Sequence, residues 1–328
     1  MLTKSSIRSM VAYRLGAASL VYRYKSWKLS RLITSRFGNA SKRQGDYLIA
    51  ANDEICQNGG LCDCLHGLVS AYYVAKKYNN QFRIVFSVPF SLTDYLLPNQ
   101  FDWRIDTDMI DYRSCFVYHV PMMLGRFHAT WAEERSFHYR YLCRVARRKG
   151  TKLLYSNAHL VGEEEFSQLF SELFRPSPEL QSQIDFHLSQ IEGPFLGASF
   201  RFRNLLGDCI EPDSQPLSQQ EQSDLMQRSI RQIEALHSAH PTHSILVTSD
   251  SAKFCSSILS LPYVYCIQGV RGHVSYQGKD VGKSSFIDLF LLSKSDENTL
   301  FITDRLYHSG FAQTASFIGN VPYRVIRY

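Results

Sequence analysis

From Tyr47 onward, short runs rich in β-branched and aromatic residues alternate with stretches of helical periodicity, and this alternation restricts the chain to an α/β architecture. Tyr47 to Ala51 is predicted to open a sheet, Asn58-Gly59-Gly60 to turn the chain, and Leu61 to Lys77 to form a helix. Phe82 to Val88 then returns as a strand. A β–Gly loop–α–β unit of this kind begins a doubly wound sheet. Lys152 to Tyr155 is a further short strand, and a long helix is expected over 127–149.

Arg175-Pro176-Ser177-Pro178 interrupts the helical stretch that begins near Gly162, and a helix from Glu179 to Gln190 is expected to bridge two domains. Gly193-Pro194 launches a second series. Its predicted strands are Phe195–Phe202, Ser244–Thr248, Tyr263–Ile267, Thr299–Ile302 and Tyr323–Ile326, separated by helices near 218–239, 251–260, 284–294 and 309–319. The expected organisation is an arm over 1–45, an α/β domain over 46–192 and a second over 193–328. Two such halves joined by a hinge suit an enzyme that binds its ligand at the carboxyl ends of the strands.

The charge is divided as sharply as the chain. Residues 1–45 hold ten of the 36 Lys and Arg and no Asp or Glu, leaving 26 basic and 30 acidic residues for the rest. Tyr13, Tyr22, Tyr24 and Trp27 lie among these cations, a composition suited to a helix resting on anionic lipid. Packing of the arm back onto the body is the competing reading. No nucleic-acid-binding module follows the arm. The eight cysteines are irregularly spaced, no signal peptide precedes them, and Cys62-Asp63-Cys64 lacks a second ligand pair. Reduced thiols, no metal and a cytoplasmic location, peripheral on the inner membrane face through the arm, are therefore expected.

Four segments carry the candidate chemistry. Gly59 and Gly60 precede a helix N-terminus, where backbone amides can approach an oxyanion, and Asp63 follows in the first turn. The third glycine of a dinucleotide fingerprint is missing. Arg201 and Arg203 alternate along a predicted strand, so both would face one side and hold a diphosphate by bidentate bonds; a salt bridge to Asp208 or Glu211 is the plainer alternative. Ser249-Asp250-Ser251 ends a buried strand, and either contacts a base or sugar or caps the next helix. Asp288 lies on an apolar helix, and Ser309-Gly310-Phe311 opens another helix suited to an anion.

The order of these segments resembles the fucosyltransferase superfamily, which includes α-1,2-, α-1,6- and protein O-fucosyltransferases, and is nearest to compact bacterial members. The likeness covers about residues 55–90 and 195–328. Cys62 and Asp63 stand where the family has Gly and Asn, and Ser199 replaces the His of its His-x-Arg motif, whose diphosphate-binding arginine falls on Arg201. The resemblance implies a GT-B arrangement of two Rossmann-like domains, with a nucleotide-sugar donor, GDP-fucose, held by the C-terminal half and a glycan acceptor by the N-terminal half. It also implies inverting, metal-independent transfer. Asp63, Asp94 and His273 are the candidate bases. A transferase of another nucleotide sugar and a non-catalytic glycan- or nucleotide-binding relative are the alternatives.

Overall fold

The computed structural model describes residues 17–37, 45–123, 130–211 and 214–328, and the expectations for residues 1–16, 38–44 and 127–129 lie outside them. The chain divides into two compact units. The first comprises residues up to 92, 98–165 and 169–174, and the second 93–97, 166–168 and 175–328.

The first unit is built on a parallel four-stranded sheet of β1 (Tyr47–Asn52), β2 (Gln81–Phe86), β3 (Phe116–Val120) and β4 (Lys152–Ser156) in the order β2-β1-β4-β3. Nearly every residue of β1 and β4 is buried, as parallel strands covered on both faces require. Helix α1 (Ala17–Phe37) precedes the sheet, α2 (Leu61–Lys77) joins β1 to β2, and α3 (Trp131–Ala146) joins β3 to β4. Thr130 and Glu133 form a reciprocal capping box at the start of α3.

Helix α1 is part of this unit, which corrects the division at residue 45. Ala18, Tyr22, Ser26 and Ile33 are buried on its inner face, against β3. The Tyr22 hydroxyl donates to the Pro121 carbonyl at 2.8 Å and meets His138 Nε2 at 2.6 Å, while the His119 amide donates to Ser26 Oγ at 2.9 Å. A tyrosine expected at a lipid interface is thus a core residue.

In the second unit five parallel strands, β5 (Phe195–Phe200), β6 (Ser244–Ser249), β7 (Val264–Tyr265), β8 (Asn298–Ile302) and β9 (Tyr323–Arg327), lie in the order β9-β8-β5-β6-β7. Strand β5 is central, and Phe200, Phe202, Phe254 and Phe301 stack around it in the core. The helices are α4 (Glu163–Leu173), α5 (Pro178–Ser189), α6 (Gln219–Ala239), α7 (Ala252–Ser257), α8 (Val274–Leu292) and α9 (Phe311–Gly319), although α4 is shared between the two units.

Two expectations change here. Helix α5 does not bridge the domains: it packs on α8, with Lys283 to Glu179 at 2.8 Å and the Tyr265 hydroxyl against His187 Nδ1 at 2.6 Å, so the division falls near 175 rather than 192. Helix α8 begins ten residues before the predicted 284, because Gly278 and Gly282 disguise its first three turns as a loop. Strand β3 was not foreseen.

Candidate functional site

In the second sheet the chain steps from β5 outward through β6 to β7, then crosses to β8 and β9 on the other side. The carboxyl end of β5 is therefore the topological switch point, where doubly wound folds bind ligands. Three of the expected segments meet there: Arg201 to Arg203 after β5, Ser249 to Ser251 at the end of β6, and the loop after β8 that leads to Ser309. The Tyr307 amide donates to the Arg201 carbonyl at 3.0 Å, and the Arg203 guanidinium lies 5.5 Å from the Tyr307 ring centre, which ties two of these loops together.

The two arginines reach this place by a different route from the one expected. Strand β5 ends at Phe200, so alternation does not aim them. Instead Arg203 takes a left-handed backbone, φ +56°, a conformation that costs a non-glycine residue about 1 kcal/mol or more. Asp250 holds it there. Its carboxylate accepts the Phe202 amide at 2.8 Å and the Arg203 amide at 2.7 Å, and pairs with Arg201 Nη1 at 2.8 Å. Burial pushes the Asp250 carboxyl up, while Arg201 and these amides pull it down.

Glu211, the expected salt-bridge alternative, grips both arginines. One of its oxygens lies 2.8 Å from Arg201 Nη2 and the other 2.8 Å from Arg203 Nε. Cys209, Glu211 and Asp250 form a group of potential metal ligands. Both carboxylates already face guanidinium charge, and burial and the nearby Asp250 push the Cys209 thiol up to about 11.

The remaining polar residues here are largely committed to structure. The Ser199 hydroxyl is buried against Thr248 Oγ1 at 2.6 Å. Ser251 caps α7 by accepting the Phe254 amide, and donates to Asp208 at 2.8 Å; Ser249 accepts the Ser251 amide. Ser251 thus realises the capping reading of this turn, and Asp250 is engaged by two backbone amides and Arg201. Asp288 pairs with buried Arg271, which also donates to the Ile267 carbonyl, so the pair braces the Gly269–His273 loop. Gly310 precedes α9, whose first amide is accepted by Ser309 Oγ at 3.2 Å. His273 lies directly before α8, and Asp94 is exposed in the second unit, its carbonyl accepting from Ser177.

The first unit carries its own candidate at its own switch point, the carboxyl ends of β1 and β4. Asn58 pins the glycine loop: its amide donates to Asn52 Oδ1 and its side chain to the Ala51 carbonyl, both at 2.7 Å. Gly59 has φ +103°, and a Cβ there would lie 2.9 Å from Asp63 Oδ2, so the position requires glycine. Gly60 caps α2. Asp63 lies 3.6 Å from Nε2 of His159, a residue not foreseen, which stacks on buried His66 at 3.8 Å. Burial, and then His159, push the His66 ring well below the usual range and keep it neutral. Nothing in the sequence around His159 signals this; only the adjacency of β1 and β4 does.

No protein-family model matches the chain, and no curated protein matches it in sequence. Solved structures do match in fold. The fucosyltransferase NodZ from Bradyrhizobium is 15% identical with a TM-score of 0.55, covering 88% of this chain and 96% of that one. A structure of the NodZ α-1,6-fucosyltransferase soaked with GDP-fucose is 16% identical at 0.55, covering 87% and 95%. The Arabidopsis thaliana fucosyltransferase FUT1, a mutant in complex with GDP, is 14% identical at 0.55, covering 92% and 74%. The fold is thus the GT-B fold of these fucosyltransferases, as the order of the sequence segments led one to expect.

Proposed function

We propose that the chain is a glycosyltransferase that takes L-fucose from GDP-fucose and passes it to a hydroxyl of a glycan acceptor. The observation that carries this reading is the pair Arg201 and Arg203, held at the switch point of the second sheet. The fold shared with enzymes solved with GDP and GDP-fucose supports it. As the glycosidic bond breaks, negative charge collects on the leaving diphosphate. Guanidinium groups fixed in a largely dry setting stabilise that charge without reorganising, which is the work a metal ion would otherwise do. Attack from the opposite face inverts the anomeric carbon. A general base must take the acceptor proton, and Asp63, Asp94 and His273 are its candidates.

Arg201→Ala tests the donor half of this reading. It should weaken GDP binding by about 1.5–3 kcal/mol, the worth of a charge-assisted bond. Unchanged affinity would remove Arg201 from the site. One observation favours a non-catalytic nucleotide-binding relative: Asp250 and Glu211 together offset the charge of both arginines. GDP binding without transfer or hydrolysis of GDP-fucose would establish that alternative.

The acceptor is a surface polysaccharide or lipid-linked glycan at the inner membrane face, and the outer face of α1 supports that placement. Leu20 and Tyr24 are each 62% exposed and Trp27 55%. Tyr24 and Trp27 stack 5.9 Å apart, and the Arg31 guanidinium lies 5.5 Å from the Trp27 ring centre. The helix carries Arg23, Lys25, Lys28, Arg31 and Arg36 and no acid. Among the described residues no helix is long and apolar enough to cross a membrane, so this face would lie on anionic lipid rather than span it. Leu20→Glu with Trp27→Glu should abolish sedimentation with phosphatidylglycerol vesicles; retained sedimentation would clear this face of the role.

A further inference from the structure

The arginines that would hold the diphosphate are already occupied, and the manner of occupation differs between their two acidic partners. Asp250 is built into the fold: its carboxylate is buried, takes two backbone amides and sets the left-handed turn at Arg203. Among the described residues, the Glu211 carboxylate makes no such backbone bond. It presents one oxygen to Arg201 Nη2 and the other to Arg203 Nε, each at 2.8 Å. That is how two oxygens of a phosphate would bridge the same guanidinium groups. Its side chain is 14% exposed, against 3% for Asp250, while those of Arg201 and Arg203 are 13% and 25% exposed. The carboxylate with the fewest fold-building bonds therefore sits on the more open side of the pair.

Resting on the donor reading above, we infer that Glu211 is an internal stand-in for the donor diphosphate, which must leave both arginines before a nucleoside diphosphate can bind. While it is in place, two guanidinium and two carboxylate groups balance and the site exerts little pull on an anion. When diphosphate takes its place, Asp250 remains to hold the arginines in position, and the one positive charge it leaves unbalanced faces the ligand. Glu211 thereby sets the affinity for nucleotide, and its return to the arginines speeds release of the product GDP. Tyr307, 54% exposed beneath the Arg203 guanidinium, keeps that arginine in place during the exchange.

The test compares wild type with Glu211→Gln, which keeps the side-chain shape without its charge, and with Glu211→Asp, which keeps the charge but shortens its reach. GDP, inorganic pyrophosphate and guanosine are titrated against each by calorimetry, with folding checked by circular dichroism. If the carboxylate occupies the arginines nine-tenths of the time, removing it tightens GDP binding about tenfold. Pyrophosphate should gain equally, guanosine should be unchanged, and Glu211→Asp should fall between. A residue that merely supports the arginines would shift GDP the other way. Wild type that binds GDP, with Glu211→Gln binding it equally or more weakly, overturns the inference and leaves the donor reading standing. Failure of all three proteins to bind either GDP or pyrophosphate overturns both.

Discussion

Asp250 is the residue on which the geometry of the arginine loop depends, and replacing it with alanine gives the most demanding check of that geometry. The substitution removes a buried partner of Arg201 and the acceptors of the Phe202 and Arg203 amides. Breaking a buried ion pair by deleting one member costs about 3–5 kcal/mol, because the other charge stays behind. The Phe202 amide, next to a fully buried side chain, loses a charged acceptor worth about 1–3 kcal/mol. Partial relaxation and the rescue of Arg201 by Glu211 at 2.8 Å bring the expected total to about 4 kcal/mol. For a unit of this size that is roughly 8–16 °C in Tm. Differential scanning calorimetry of wild type and Asp250→Ala, each without nucleotide, measures it. Asp250→Asn should recover less than half, since an amide N–H2 must then face other donors. A loss below about 1 kcal/mol for Asp250→Ala would mean that the arginine loop is held by something else, and the site as described would not stand.

Other expectations concern the first unit and the loops. Burial, aided by Lys25, pushes the His119 ring down to about 4, and burial keeps His66 neutral. The unfolded chain takes up protons near pH 6.5 where the folded one does not, so this contribution is whole above pH 6.5 and is lost as pH falls toward 4. By pH 5 His119 alone should lower stability by about 1–2 kcal/mol, allowing for the water that reaches part of its ring. Urea midpoints at pH 7.5 and 5 would show it, and His119→Gln should flatten the difference. Gly67→Ala would place a Cβ 1.9 Å from the Ser156 carbonyl oxygen, between α2 and β4, and should cost about 2–3 kcal/mol in urea titration. Gly310→Ala meets no atom within 4 Å and should leave the fold within about 0.5 kcal/mol of wild type; a large loss there would contradict the open start of α9.

Much of the architecture could be read from patterns that physical chemistry makes local. Apolar runs bounded by turns mark β1, β2, β5, β6 and β8, and helical periodicity marks α2 from Leu61 to Lys77 without error. Strand β3 escaped notice because His119 and Tyr118 break its apolar character, and a one-sided edge strand leaves a weak trace. Helix α8 hid behind two glycines. The arm admits two readings for a physical reason: an aromatic residue in a basic helix suits a lipid face or a protein core equally, and only tertiary contact puts Tyr22 inward and Trp27 outward.

The site was legible in its residues but not in their bonds. Arg201, Arg203, Ser249, Asp250 and Ser309 do gather around β5, since the strand order brings their loops together. That Asp250 would turn to the backbone, that Glu211 would span both arginines, and that Asp288 would be claimed by Arg271 are consequences of loop conformation. Loop conformation has no periodicity to read. The pairing of Asp63 with His159 joins residues nearly a hundred positions apart and follows from the neighbouring of β1 and β4 alone.

The central claim is that the second unit binds the diphosphate of a guanine nucleotide sugar through Arg201. Thermal shifts of the purified chain and of Arg201→Ala with GDP, UDP, CDP and NAD, each with and without EDTA, test it most directly. The account predicts stabilisation of wild type by GDP above the others, unaffected by EDTA and lost in Arg201→Ala. Stabilisation by UDP or CDP in place of GDP, or a GDP response that survives the loss of Arg201, would contradict it.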